Sequence, residues 1–458
     1  MEYISTRNKN LSYNFKEIFL RGLAPDGGLF IPKQNKVYNE TEIKKLGELS
    51  YIDLATEIIF NFCSTQLEKN NLRNLIKKSY ENFITDEVVK IMKVGDINLI
   101  ELYHGPTLAF KDIAMQVLGN MYDELKISSG KKVNIVVATS GDTGSAAISA
   151  LNDRKNINVF VLHPHNKISN IQRKIMTTIG SKNIYNLAIK GTFDDCQKIV
   201  KDMFSENSFR EKINMSGVNS INWARIVCQI VYYFFSVLKF KNKKISFSVP
   251  TGNFGDIYAG YVAKKMGLPI EKLIVATNEN DILGRVINSG IYKPTEVKSS
   301  LSPSMDVQIS SNFERLLFDV VNYDDKKVSN LMSKLLSDGS FTLDKEQMKI
   351  IKKDFYAEKI SDKETLEIIK NYAEKYNFII DPHTATAVGA SKKIKDNLEI
   401  LILATAHPYK FLDTIKMATS KEVKMPIQMR GILDKKEKYD ILDNDILEIK
   451  NYILERAT

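Results

Sequence analysis

Cysteine is nearly absent: the 458-residue sequence holds three, Cys63, Cys196 and Cys228, odd in number and far apart. They supply neither a disulfide framework nor paired metal-ligand spacing, and their scarcity fits a reducing compartment. No secretory leader is visible, because the opening MEYISTRNKN has no apolar core. The longest apolar run, around residues 230–238, falls far short of the roughly 20 residues that span a bilayer. No fixed-period repeat or low-complexity tract appears, which argues against solenoid and array architectures. These absences describe a soluble cytoplasmic protein with no membrane partner.

What is present is ordinary globular composition, 43% hydrophobic and 26% charged, in a chain long enough for two or three domains with real cores. Lys plus Arg number 65 against 55 Asp plus Glu, a formal charge of +10. The lysines are scattered with acids between them, as in KKLGE and LDKKEKYD. That pattern makes a solvated surface and not a nucleic-acid stripe, although it leaves room for a small anionic substrate.

Along the chain, residues 1–96 read as a mainly helical N-terminal domain, with apolar residues three and four apart over 52–62 and 67–83. Short β-branched runs then alternate with helical segments: VNIVVAT, INVFVLHP, NLAIKG, ISFSVP, LIVATN and LEILILATA. Continuous apolar strands between helices predict parallel sheets covered on both faces. The fold expected is α/β, with two open, largely parallel sheets. One domain spans about 97–235 and a second 236–458, with a charged helical insertion or layer near 324–371.

Four constellations carry chemistry. In HGPTLAFKD, residues 104–112, Lys111 follows an apolar triplet after a Gly-Pro turn. A partly desolvated lysine has a lowered pKa and forms a Schiff base with an aldehyde, although such a lysine alone can be merely structural. In VVATSGDTGSAA, residues 136–147, Ser140, Asp142 and Thr143 crowd a helix start. They are either an over-supplied N-cap or a grip for a carboxylate and ring oxygens. In SVPTGNFGD, residues 248–256, Gly252, Asn253, Phe254 and Gly255 open a helix whose N–H groups suit a phosphate. Neither loop is a P-loop or a GxGxxG fingerprint. In ILATAHPYKF, Thr405 ends an apolar strand and is either a cap or a ligand. His163 and His165, in LHPHN, have no Cys or acidic partner nearby, so a strand-end turn and not a metal site is expected.

The chain resembles the threonine synthases of bacteria and fungi, within the fold-type II pyridoxal-phosphate enzymes, over nearly its whole length. The carrying segments include YISTR, GLAPDGGLFIP, ELYHGPTLAFKD, VVATSGDTGSAA, SGVNSINWARIVCQ, SVPTGNFGDIYAGY, DPHTA and LATAHPYKF. One departure is Asn8 after STR, where the family has glycine. The resemblance implies pyridoxal 5'-phosphate carried on Lys111, its phosphate on Gly252, Asn253, Phe254 and Gly255, its ring nitrogen on Thr405, and Asp142 near its phenolic oxygen. Ser140 and Thr143 would meet the substrate carboxylate. Asn219, Ser220 and Arg225 would meet a substrate phosphate, unless Arg225 is only a surface arginine on an amphipathic helix. The activity implied is γ-elimination of phosphate from O-phospho-L-homoserine and β-addition of water, giving L-threonine, by a monomer or homodimer. The competing reading is another lyase of the same fold type, such as a threonine or serine dehydratase, which needs no pocket for a substrate phosphate.

Overall fold

The computed structural model describes residues 1–85, 87–125, 132–240 and 244–457. Two parallel sheets form its frame. The larger has six strands in the order Phe355–Lys359, Ile270–Thr277, Ile245–Pro250, Glu399–Ala404, Ile97–Glu101 and Lys90–Val94. All neighbours are parallel except the last pair, an antiparallel hairpin. The smaller has five parallel strands, Asp440–Leu442, Ile184–Ile189, Ile157–Pro164, Val133–Ala138 and Met215–Ser216. Every residue of Ile157–Pro164 and Ile245–Pro250 is buried, as strands covered by helices on both faces must be. All six apolar runs of the sequence became strands of these sheets.

The chain passes between the sheets more often than a simple division shows. The point 96/97 falls in the turn of the hairpin Lys90–Val94 and Ile97–Glu101, where Gly95 takes φ +58°. Both hairpin strands belong to the larger sheet, whereas Asp440–Leu442 returns to the smaller one. The segment 324–371 is helical in Asp325–Ser337, Lys345–Asp354 and Asp362–Tyr376, yet it also gives the larger sheet its edge strand, Phe355–Lys359. Only two of that strand's five residues are buried, and they alternate with wetter ones, so its apolar signal is faint.

The N-terminal region is mainly helical, with Phe15–Arg21, Glu40–Leu46, Tyr51–Cys63 and Lys69–Tyr80, but it also holds a three-stranded antiparallel sheet built on Tyr3–Ser5. Capping boxes start its first two helices, Asn14 with Glu17 and Asn39 with Glu42. Asn8 has no positive φ, so the turn after Arg7 does not require glycine there. The apolar run at 230–238 lies in the helix Trp223–Lys239, which is buried on nearly all sides. It is a central core helix, and among the described residues no helix is long and apolar enough to cross a membrane.

Candidate active site

The turns that follow Ile97–Glu101, Ile245–Pro250 and Glu399–Ala404 in the larger sheet meet the turn after Val133–Ala138 around one cavity of about 1010 Å³. In open α/β sheets this carboxyl edge is where ligands bind. All twelve residues singled out in the sequence line this cavity: Lys111, Ser140, Asp142, Thr143, Asn219, Ser220, Arg225, Gly252, Asn253, Phe254, Gly255 and Thr405.

Lys111 begins the helix Lys111–Glu124. Its loop is fixed to the turn after Glu399–Ala404: Phe110 N donates to Thr405 O at 2.9 Å, and His407 N donates to Leu108 O at 3.1 Å. Leu108 adopts φ +60°, a strained conformation that neighbouring bonds must hold. The Lys111 Nζ lies 3.0 Å from Asp142 Oδ2 and 4.9 Å from the centre of the Phe110 ring. Burial lowers the Lys111 pKa, Asp142 opposes that fall, and the like charges of Lys410 and Arg225 add to it. Asp142 is held well below the usual carboxylate range: burial would raise it, but Lys111 and Lys410 outweigh burial.

None of Ser140, Asp142 and Thr143 caps the helix that Asp142 begins. The N-cap is Gly141, at φ +138°, which has no side chain to cap with. Thr139 Oγ1 instead accepts from the N–H groups of Gly141 and Gly144, both at 2.9 Å. Ser140 and Thr143 are thereby left for the cavity, which removes the capping alternative. The helix Gly255–Lys265 starts without a side-chain cap, from Phe254 in the left-handed conformation at φ +63°. Its first N–H groups are open to a ligand, as a phosphate cradle requires. A Cβ on Gly252 would lie 2.8 Å from Ser304 O, so only glycine lets these two backbones pass. An amine on Lys111, an uncapped helix start and a hydroxyl on Thr405 fit the aldehyde, phosphate and ring nitrogen of pyridoxal phosphate.

Arg225 sits in the first turn of Trp223–Lys239 and is only 2% exposed. It is not a surface arginine. One nitrogen donates to Val218 O at 3.3 Å, Nε has no partner, and among the described residues no carboxylate pairs with it. Burial pulls its pKa down to about 10. Asn219 Oδ1 and Gln229 Oε1, on the same wall, also lack partners. Arg7, by contrast, is neutralised by two hydrogen bonds to Glu314, at 2.9 and 2.7 Å. Arg315 braces the wall from behind, donating to Phe30 O at 3.0 Å and Ile221 O at 2.6 Å and pairing with Asn312, whose Nδ2 in turn donates to Asn253 O at 2.9 Å.

Sequence reasoning missed four residues that hold the site together. Lys410 pairs with Asp142 Oδ1. Gln172 Nε2 and Ser304 Oγ each donate to Asp142 at 3.1 Å. His383, held by Asp381 at 3.0 Å, accepts from Ser304 N at 3.3 Å and lines the cavity. Lys410 and His383 stand in LATAHPYKF and DPHTA, so the segments were noticed and the residues were not. His104 is bonded to Glu101 at 3.1 Å and His407 to Tyr409 N at 3.1 Å, and neither lines the cavity. His163 is a buried strand-end residue whose ring nitrogens lack partners.

Known proteins are similar to this chain in sequence and in fold. Residues 2–80 match the model for the threonine synthase N terminus, 99–334 that for pyridoxal-phosphate-dependent enzymes, and 384–453 that for the threonine synthase C-terminal region. Threonine synthase of Pseudomonas aeruginosa is 40% identical over 99% of this chain and 98% of its own, and that of Saccharomyces cerevisiae 42% over 99% and 97%. The crystal structure of pyridoxal-phosphate-bound threonine synthase from Brucella melitensis superposes with a TM-score of 0.95 at 41% identity, covering 100% of this chain and 99% of that one. Similarity in sequence and in fold thus runs the length of the molecule, and the chain belongs to the threonine synthase family of pyridoxal-phosphate-dependent enzymes.

Proposed function

We propose that the substrate is O-phospho-L-homoserine, converted with water to L-threonine and inorganic phosphate, and that Lys111 and Arg225 are the two residues on which turnover depends. The observation that carries the reading is the Arg225 guanidinium, which lines Lys111's cavity, is buried, and has no carboxylate within ion-pair distance among the described residues, Asp256 acting on it only at longer range. A buried cation without an ion-pair partner suits an anionic ligand. A fork of donors suits a phosphate. A dehydratase acting on serine or threonine has no such group to satisfy, so the dehydratase alternative leaves Arg225 unexplained.

Pyridoxal phosphate, when bound, supplies an electron sink for charge that develops on the substrate carbons. This chain's own residues do the rest. Gly252, Asn253, Phe254 and Gly255 offer backbone N–H groups to the cofactor phosphate. Thr405 offers a hydroxyl to the ring nitrogen, and a hydroxyl does not hold that nitrogen protonated as a carboxylate would. Asp142 would lie near the phenolic oxygen. Ser140 and Thr143 orient the substrate carboxylate. Lys111, its pKa lowered by burial, would hold the cofactor aldehyde and, as a free amine, would take protons from the α- and β-carbons and help return one to the γ-carbon that phosphate has left. Arg225, with Asn219 and Ser220, binds the substrate phosphate and stabilises it as the γ-carbon–oxygen bond breaks.

The test compares O-phospho-L-homoserine with threonine and serine in the purified enzyme, beside Lys111→Ala. Phosphate and threonine should form only from the first substrate, and Lys111→Ala should lose both turnover and borohydride-stable labelling. Faster turnover of serine or threonine would return the assignment to a dehydratase.

A further inference from the structure

Two buried lysines share one carboxylate. Lys111 reaches Asp142 Oδ2 at 3.0 Å, and Lys410, in the turn after Glu399–Ala404, pairs with Oδ1. The Lys410 side chain is 0% exposed, against 11% for Lys111. It also donates to Thr107 O, at 3.1 Å. The other groups facing Asp142 are the neutral donors Gln172 and Ser304, with the His383 ring beyond them. Arg225 and Asp256 act on Lys111 at longer range, and Asp112 lies within the field of Lys410.

One lysine is enough to hold an aldehyde, so the second needs its own explanation. A sealed ammonium cannot attract substrate from solvent, and burying it is costly unless it is paired. Lys111 cannot be the permanent partner of Asp142, because its nitrogen must change bonding and protonation as it takes up and regains the cofactor. Lys410 need change neither. We propose that Lys410 is a positioning residue: sealed against Asp142 and Thr107, it holds the Asp142 carboxylate in place and shares it, so that Lys111 is not bound to Asp142 as a fixed ion pair while its nitrogen takes up and regains the cofactor. This rests on the role proposed above for Lys111.

The electrostatics point the same way. A second ammonium repels the one on Lys111 and takes a share of the carboxylate, and both effects weaken Lys111's hold on its proton. Without Lys410, Lys111 and Asp142 would keep one proton between them to higher pH, as a coupled pair.

The test uses the full-length protein freed of cofactor, with pyridoxal phosphate as the probe. The rate of its capture, followed by absorbance from about pH 6 to about pH 10, has an inflection set by the capturing amine. In Lys410→Met this inflection should rise by about one pH unit or more, slowing capture near neutrality roughly tenfold. Lys410→Arg, which keeps the charge, should restore it most of the way. Asp142→Asn, which removes the shared carboxylate, should move it down. An unshifted inflection in a folded Lys410→Met overturns the proposal. Where Lys410→Met does not fold, an unshifted inflection in Asp142→Asn overturns it instead. Borohydride reduction and peptide mapping separate the two levels. A label on another lysine sinks the Lys111 assignment itself, whereas a label on Lys111 with an unshifted inflection sinks only the role of Lys410.

Discussion

A guanidinium buried beside two unpartnered amide oxygens is a local expense that the ligand-free protein bears. Arg225→Met should therefore be more stable than wild type in phosphate-free buffer, by on the order of 1 kcal/mol, and so melt higher, because methionine fills similar space without a charge to desolvate. The same change should lower kcat/KM for O-phospho-L-homoserine by roughly 30- to 1000-fold, the loss of one charged contact in the transition state. Added inorganic phosphate should raise the melting temperature of wild type and leave the variant where it was. A variant that melts lower and keeps its turnover would make Arg225 a packing residue. At this scale the sequence was readable where a residue type is odd for its surroundings, as with Lys111 after Leu-Ala-Phe or hydroxyls crowded between glycines. Lys410 was not readable, because a lysine between Tyr and Phe looks like any half-exposed lysine. What buries it is the contact between the two loops, an antiparallel bridge pairing Ala109 with Ala406. No local spacing encodes that contact.

The glycine loop after Ile245–Pro250 does two jobs that substitution can separate. A Cβ on Gly252 meets backbone, Ser304 O at 2.8 Å, so Gly252→Ala should weaken both the fold and pyridoxal-phosphate binding. The nearest atom to a Cβ on Gly255 is Asn312 Nδ2, at 3.3 Å, the end of a side chain. Gly255→Ala should accordingly change the cofactor-free melting temperature by only a few degrees while weakening cofactor affinity several-fold, through crowding at the helix start. Melting curves and cofactor titrations on both variants check this. Equal effects of the two on affinity and melting would reduce the loop to a plain turn. Strands buried on both faces were legible because nothing but apolar residues can fill them. Phe355–Lys359 was hidden by its neighbours, since an edge strand with one wet face among lysine-rich helices carries only two buried residues. The three-residue strands Tyr3–Ser5 and Phe30–Pro32 were too short for any period to show.

The molecule as a whole should be sensitive to acid through imidazoles that it keeps neutral. Burial pushes the His163 pKa down to about 4. As pH falls below about 6.5 the unfolded chain takes up that proton first, so stability from the neutral ring is full above about 6.5 and drains away toward pH 4. The loss is about 2 kcal/mol by about pH 5. His163→Phe should flatten that part of the acid limb, with melting temperatures compared near pH 7 and pH 5. His407, also held down to about 4, keeps its own share in the variant. A variant as acid-sensitive as wild type would show that the ring does not titrate on unfolding. The pairing of Asp440–Leu442 with Ile184–Ile189 has a consequence for how the protein is made. As the chain leaves the ribosome, Ile184–Ile189 emerges with one edge open, and its partner follows on the order of ten to fifty seconds later at ordinary rates of synthesis. Until then the edge is a template for any other extended chain. Ile449 and Ile453, which bury against Ile199 and Met203, arrive later still. A stop codon just before residue 440 would leave every cavity-lining side chain encoded, the last of them Ala406, and yet release a polypeptide with a raw sheet edge and a bare apolar face. Such a product would be handled by chaperones and proteases and would not survive as an enzyme, so the segment 440–453 guards the solubility of a site to whose lining, among the described residues, it adds no side chain.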